Sequence, residues 1–358
     1  VFGLPVLHTM PAGNGDATGI NAYGNNGDAN VTNSSTGDVS VVAFFNGDGT
    51  GILAQSHYDN ASIDNSGSVD AYAYNGDAIG AMAVSGGGNA SNDNSGTISV
   101  ESQYGYAAGM VVASADGNAS AINSGDVEVH AYLNGFGVFA QSTSGDASID
   151  NSNIVYVESA FGNAFGLYAN SGGTTTVTNS GAVGAYAPTH GYFADGIFAY
   201  GATTNVTNTA TGAITVYGHS WSAGIEAGAT GAATVTNDGS VSSYSYHAAY
   251  GIYAYGDTVT VTNNGDVTAM SDNAAPVFST LGVATGVYAY GANGATVTNS
   301  ATGTIHADGY YGATGVNVVV ANPGAAATVN NAGMITAYGY LGVTTGISAH
   351  DRARTVQV

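Results

Sequence analysis

One phrase returns along the whole chain. TTTVTNSGAVGAYA (Thr174–Ala187) recurs as AATVTNDGSVSSYS, VTVTNNGDVTAMS, GATVTNSATGTIHA and AATVNNAGMITAYG. A fixed period of this size marks a repeat architecture, in which each unit buries its apolar side only against its neighbours. Three landmarks recur in order. The first is a glycine before an apolar residue, usually Ile or Val: Gly19, Gly51, Gly80, Gly109, Gly137, Gly166, Gly196, Gly224, Gly251, Gly286, Gly315 and Gly346. The second is an asparagine ending a VTN-like element: Asn33, Asn65, Asn94, Asn123, Asn151, Asn179, Asn208, Asn237, Asn263, Asn299 and Asn331, spaced 26 to 36 residues apart. The third is a β-branched residue, usually four positions later: Val39, Val69, Ile98, Val127, Ile154, Val183, Ile214, Val241, Val267, Ile305 and Ile335.

Each element alternates small or apolar with polar residues and is rich in Val, Ile, Thr and Tyr, which is strand chemistry. Gly, Asn and Asp punctuate the joins, where positive φ or side-chain-to-backbone bonds are needed. Three short strands per unit predict an all-β parallel β-solenoid of about eleven coils, with neighbouring coils about 4.8 Å apart. The expected organisation is one array over 1–358. Residues 1–18 read as a partial or capping coil, 19–345 as the repeats and 346–358 as an incomplete terminal coil. In TVTN, alternation sends Val177 and Asn179 to one face and Thr176 and Thr178 to the other. The asparagines are therefore expected to stack inside the coils and bond one another in a ladder.

Composition narrows the partners. The net charge is −22 with only two Lys or Arg residues, so nucleic acid and anionic lipid are poor partners. No apolar run is long enough for a transmembrane helix. There is no cysteine, which excludes disulfides and thiolate metal sites.

The pieces ATVTNSATGTIHADG (Ala295–Gly309), TTVTNSGAVGAYA (Thr175–Ala187) and TGVYAYG resemble the passenger repeats of bacterial autotransporters, the type V secreted adhesin family. The resemblance runs from about Ala17 to Ala349. It implies a β-helical passenger, extracellular or at the bacterial cell surface, shed or retained, often adhesive, in settings such as biofilm. The absence of cysteine suits a chain that crosses the outer membrane unfolded.

Catalytic groups are scarce. Glu101, Glu128 and Glu158 follow the third landmark in successive units, and a carboxylate pair for glycoside hydrolysis would need two such groups facing each other. They are expected to be solvated strand faces. His190, His219 and His247 fall near one corner of successive coils and form a weak candidate metal set. Asp16, Asp28, Asp48 and Asp77 in GD turns, and Asp64, Asp93 and Asp150 on strand exteriors, are weak candidates for Ca2+. No other cofactor is indicated. Outward Thr pairs, Thr176/Thr178, Thr234/Thr236, Thr260/Thr262 and Thr296/Thr298, raise ice binding as a rival reading. The array is broken by Asn205/Thr207.

Aromatic residues supply a stickier surface. Tyr253/Tyr255, Tyr288/Tyr290 and Phe198/Tyr200 occupy equivalent places, and part of this set is expected to line the core or stack coil on coil. The insertion SDNAAPVFSTLGVA carries Pro276, Val277, Phe278 and Leu281 and is a candidate contact loop. The expected function is a non-enzymatic, extracellular, structural or adhesive solenoid. It would serve as an adhesin segment or a fibre protomer that self-associates end to end or laterally and holds cell-surface glycans. A solenoid glycan-degrading enzyme is the other rival.

Overall fold

The computed structural model describes residues 11–12, 15–44, 46–189, 192–272 and 282–351. It is a parallel β-solenoid with no helix among the described residues and three strands in each coil. Two compact units divide the chain. One is Val1–Val177 with Gly181–Ala187, and the other is Thr178–Ser180 with Pro188–Val358.

In the first unit, six strands carry the glycine landmark: Ala17–Gly24, Gly49–Ser56, Ala78–Ser85, Ala107–Ser114, Gly135–Ser142 and Ala164–Ser171. They pair in parallel, each with the next, and form the first wall. Ala29–Asn33, Ala61–Asn65, Ala90–Asn94, Ala119–Asn123 and Ala147–Asn151 pair likewise in the second wall. Asp38–Ala43, Ser68–Ala73, Thr97–Ser102, Asp126–Ala131, Val155–Ser159 and Ala182–Ala187 make the third.

The second unit repeats the plan. Its first wall starts with Phe193–Gly201 and Trp221–Ala229. It continues through the leading parts of two long strands, Ala248–Asn263 and Val283–Asn299, to Gly312–Val320 and Val343–Asp351. The second wall contains Thr203–Asn208, Ala232–Asn237, the trailing parts of the long strands and Ala326–Asn331. Ala213–Gly218, Ser240–Ser245, Asp266–Ser271, Thr304–Gly309 and Met334–Gly339 form the third.

The core is narrow and filled by Ala, Val and Ile, with columns such as Ile197, Ile225 and Ile252 sealed from solvent. Each Val or Ile so buried contributes roughly 1.5–3 kcal/mol. Among the described residues no aromatic side chain belongs to this core, which is filled by small and branched groups. Asn33 Nδ2 donates to Asn65 Oδ1 at 2.8 Å, Asn65 to Asn94 at 2.7 Å, Asn94 to Asn123 at 2.8 Å and Asn123 to Asn151 at 2.8 Å. In the second unit the same relay runs from Asn179 through Asn208, Asn237, Asn263 and Asn299 to Asn331, at 2.8–2.9 Å per step.

Two features depart from simple alternation. In the first wall, Gly51 and Ile52 are both buried although adjacent, and each first-wall strand from Gly49–Ser56 onward carries such a doubled inward step. The glycine there sits against the third wall. A Cβ on Gly109 would lie 2.3 Å from Val127 Cγ1 and 2.7 Å from the Gly137 carbonyl oxygen. From Gly19 to Gly137 and again from Gly196 to Gly315, an inward Val or Ile of the third wall fills the space that the landmark glycine leaves. Secondly, the inward third-wall residue in the fifth repeat is Val155, paired with Val127, while Ile154 is exposed. Val155 keeps the four-residue spacing from Asn151, so register, not β-branching, decides which neighbour turns inward.

The joins are held by side chains. Among the described glycines only Gly324 has a left-handed φ, 82°. Asp16 Oδ1 accepts the Asp48 N–H at 3.1 Å, Asp48 Oδ1 the Asp77 N–H at 2.8 Å and Asp77 Oδ1 the Tyr106 N–H at 2.9 Å. A second column starts with Asp28 Oδ1 accepting the Asn60 N–H and continues through Asn60, Asn89, Asn118 and Asp146 to the Thr174 N–H. A third device is a serine at the strand end. Ser85 Oγ donates to the Asp59 carbonyl at 2.6 Å and accepts the Gly88 N–H at 2.8 Å, and Ser114 and Ser142 repeat the arrangement.

Candidate functional site

The outer face of the first wall in the second unit gathers the densest set of aromatic and acidic groups. Register fixes three columns: Asp195–Ala223–Tyr250–Thr285, Phe198–Glu226–Tyr253–Tyr288 and Tyr200–Gly228–Tyr255–Tyr290. Phe193 and Trp221 pair at the leading edge of the same wall, with ring centroids 6.3 Å apart. Tyr253 and Tyr288 stack at 5.1 Å with planes 10° apart. Trp221 meets Tyr250 at 5.7 Å and Tyr253 at 6.2 Å. Trp221, Tyr250, Tyr253 and Tyr288 are half-buried and Phe193 is exposed, so one face of the set is turned to solvent.

The coil Trp221–Ala229 puts small residues, Ala223 and Gly228, where its neighbour beyond puts tyrosines. Tyr255 leans into the gap. A Cβ on Gly228 would lie 2.3 Å from the Tyr255 ring, and Tyr200 and Tyr255 approach across that glycine to 6.4 Å. From there the Tyr255 hydroxyl donates to the Glu226 carboxylate. Asp195, near enough to feel the Glu226 charge, is 2% exposed. The Ala223 N–H donates to its carboxylate, and its Oδ1 is buried with no hydrogen-bond partner.

Burial pushes the Asp195 carboxyl well up, and the neighbouring Glu226 charge raises it further. Burial lifts Glu226 to about 7, against which the Tyr255 hydroxyl pulls down. The Tyr255 phenol is raised by burial and by Glu226. Such a pair favours a shared proton near neutrality. Between pH 4.5 and 7 the folded chain holds a proton on Glu226 that the unfolded chain has released, so stability is expected to fall as pH rises through that window. The urea midpoint measured across it is expected to decline, with Glu226 contributing about 2–3 kcal/mol at most. Glu226→Gln is expected to flatten the decline.

Other aromatic ladders run in the first unit. Phe136 stacks on Phe165 at 5.0 Å and Phe139 on Tyr168 at 5.0 Å. Tyr74, Tyr104, Tyr132 and Phe161 form a corner column with steps of 5.4, 5.3 and 4.8 Å.

The residues singled out by sequence fall as follows. Glu101, His130 and Glu158 share one third-wall column. His130 Nε2 lies 3.0 Å from Glu128 Oε1 and its Nδ1 lies 3.5 Å from Glu158 Oε2, all well exposed. His219 and His247 rings are 5.6 Å apart and nearly perpendicular, with Tyr246 stacked on His219 at 4.8 Å; His190 lies outside the described residues. Among the described residues no group of three or more His, Asp or Glu has metal-holding geometry. The turn aspartates Asp16, Asp28, Asp48 and Asp77 are engaged with backbone N–H groups of the next coil or its turn. Asp64, Asp93 and Asp150 are exposed, and burial and Asp64 raise Asp93. Pro276, Val277, Phe278 and Leu281 lie outside the described residues. Thr234/Thr236, Thr260/Thr262 and Thr296/Thr298 stand in register on the second wall, flanked by Asn205/Thr207 and Thr328/Asn330.

Sequence reasoning passed over Asp195 and Glu226. The signal was present: Glu226 takes the place held by Phe198, Tyr253 and Tyr288 in the neighbouring phrases. Fold and site together define a repeat protein of the parallel β-solenoid class with an aromatic, acidic outer wall. No family model matches the chain, and no curated protein or solved structure matches it either.

Proposed function

We propose that this chain is a non-enzymatic, extracellular adhesive solenoid, of the autotransporter-passenger kind, that holds glycans on the aromatic first wall of its second unit. The in-register rings Phe198, Tyr253 and Tyr288, with Tyr200, Tyr255 and Tyr290 beside them, carry the reading. Flat aromatic faces accept the C–H faces of sugar rings, while phenol and carboxylate groups at their edges take hydroxyl hydrogen bonds. A rigid strand lattice presents them with little ordering cost on binding.

The acid pair brings glycan hydrolysis into consideration as a rival. That chemistry needs two carboxyl groups in reach of the sugar, one ionised and one protonated. Asp195 is buried out of a sugar's reach, which supports binding over cleavage. Three consecutive Thr pairs on the second wall favour ice binding as a second reading, to be measured by thermal hysteresis.

The test is a glycan array probed with the purified chain, followed by titration of its hits, read by the single tryptophan, Trp221, which touches the Tyr250 and Tyr253 rings. Replacing Tyr253 and Tyr288 with Ala is expected to weaken binding at least about tenfold, since each lost stacking contact is worth about 0.5–1.5 kcal/mol beyond its area. Unchanged affinity in that variant would remove the wall from the function.

A further inference from the structure

We infer that the wall selects glycans bearing free amino groups, a linear polymer of amino sugars whose protonated amine sits at Glu226, with Asp195 near. This rests on the glycan reading above and names the substrate class.

The first ground is a missing counter-charge. Buried carboxylates are ordinarily paired, because an unpaired buried charge is costly. Among the described residues, Glu226 stands in register between Phe198 and Tyr253 and takes a hydrogen bond from Tyr255, Asp195 stands beside Ala223, and none of these is a cation. The chain has no lysine, and its two arginines, Arg352 and Arg354, lie outside the described residues. Asp195 Oδ1 is buried and makes no hydrogen bond. The complement that the fold omits is therefore a positive group brought by a ligand.

The second ground is what surrounds the pair. A hard metal cation asks for six or more oxygens, and the site offers two carboxyl groups among rings. An organic ammonium is satisfied by one carboxylate and by aromatic faces, which attract cations through their quadrupole. An acetylated amine or a hydroxyl carries no charge and gains nothing from the negative charge that the pair shares, whereas an ammonium group at Glu226 favours its ionised form.

The third ground is length and charge. The column Phe198–Glu226–Tyr253–Tyr288 crosses four coils. At about 4.8 Å per step that is roughly 14 Å, more than one ammonium needs and suited to successive rings of a chain. The net charge of −22 draws a polycation towards the surface and repels carboxylated or sulfated polymers.

Three hexasaccharides test the inference by titration with Trp221 fluorescence and calorimetry: a glucosamine hexamer, its N-acetylated counterpart and a glucose hexamer. Wild type is expected to bind the amine hexamer at least about tenfold tighter than the acetylated one. Glu226→Gln, which keeps the size and the bond to Tyr255, is expected to abolish that preference, bringing the amine and acetylated hexamers within about twofold of each other. Asp195→Asn is expected to reduce the preference without abolishing it. Equal binding of the amine and acetylated hexamers by wild type, or a preference that survives Glu226→Gln, would overturn the amine selectivity and leave the glycan reading standing. Failure of all three hexamers to bind overturns the selectivity as well, and a glycan array then devoid of hits removes the glycan reading itself.

Discussion

Gly109→Ala is expected to destabilise the first unit by about 3 kcal/mol or more, although it adds a single methyl group. The new Cβ would meet Val127 Cγ1 at 2.3 Å and the Gly137 carbonyl oxygen at 2.7 Å. Neither neighbour has room to yield. Val127 is buried in the core, and the carbonyl belongs to the adjoining strand of the wall. Relief would require separating two coils, which lengthens every hydrogen bond between them. Gly27→Ala supplies the control, because a Cβ there meets nothing within 4 Å. Adding Val127→Ala to Gly109→Ala is expected to recover part of the loss by vacating the contact. Urea melts followed by far-ultraviolet circular dichroism read all three variants. Equal midpoints for the Gly109 and Gly27 variants would disprove the close-approach account.

Asn123→Leu is expected to cost about 2–4 kcal/mol, despite its similar volume and greater hydrophobicity. It strips the acceptor from Asn94 Nδ2 and the donor from Asn151 Oδ1, two groups in a water-free corner. Asn123→Asp is expected to do at least as badly, since a carboxylate accepts but cannot donate onward and carries an unpaired charge. The same urea melts decide. A leucine variant as stable as the parent would mean that the amide column is dispensable.

How far the fold was legible follows from the physics of repetition. Period-two alternation, the recurrent VTN and the position of each glycine suffice to place strands and faces, because the same local choice is written in every coil. What escaped notice depends on contact between coils. The doubled inward step at Gly51 and Ile52 breaks the alternation where Gly51 meets Val69 of the third wall. Ile154 and Val155 are equally β-branched, and only pairing with Val127 selects the second. The turn aspartates carry an N–H acceptor role that is visible only when the next coil lies beneath them. The acid pair was hidden for the same reason. Asp195 and Glu226 are 31 residues apart and become neighbours through register alone.

The asparagine relay has a direction. In each unit every step of the relay runs the same way, the amide of the earlier asparagine donating to the side-chain oxygen of the later one. The aligned dipoles polarise one another along the stack. Turning one amide over would set donor against donor on one side and acceptor against acceptor on the other, so a whole row must reverse together or not at all. A coil that enters with its asparagine one position out of place finds no consistent orientation to adopt. The column thus acts as a proofreading line for stacking, admitting only those turns whose polarity agrees with the turn already laid down.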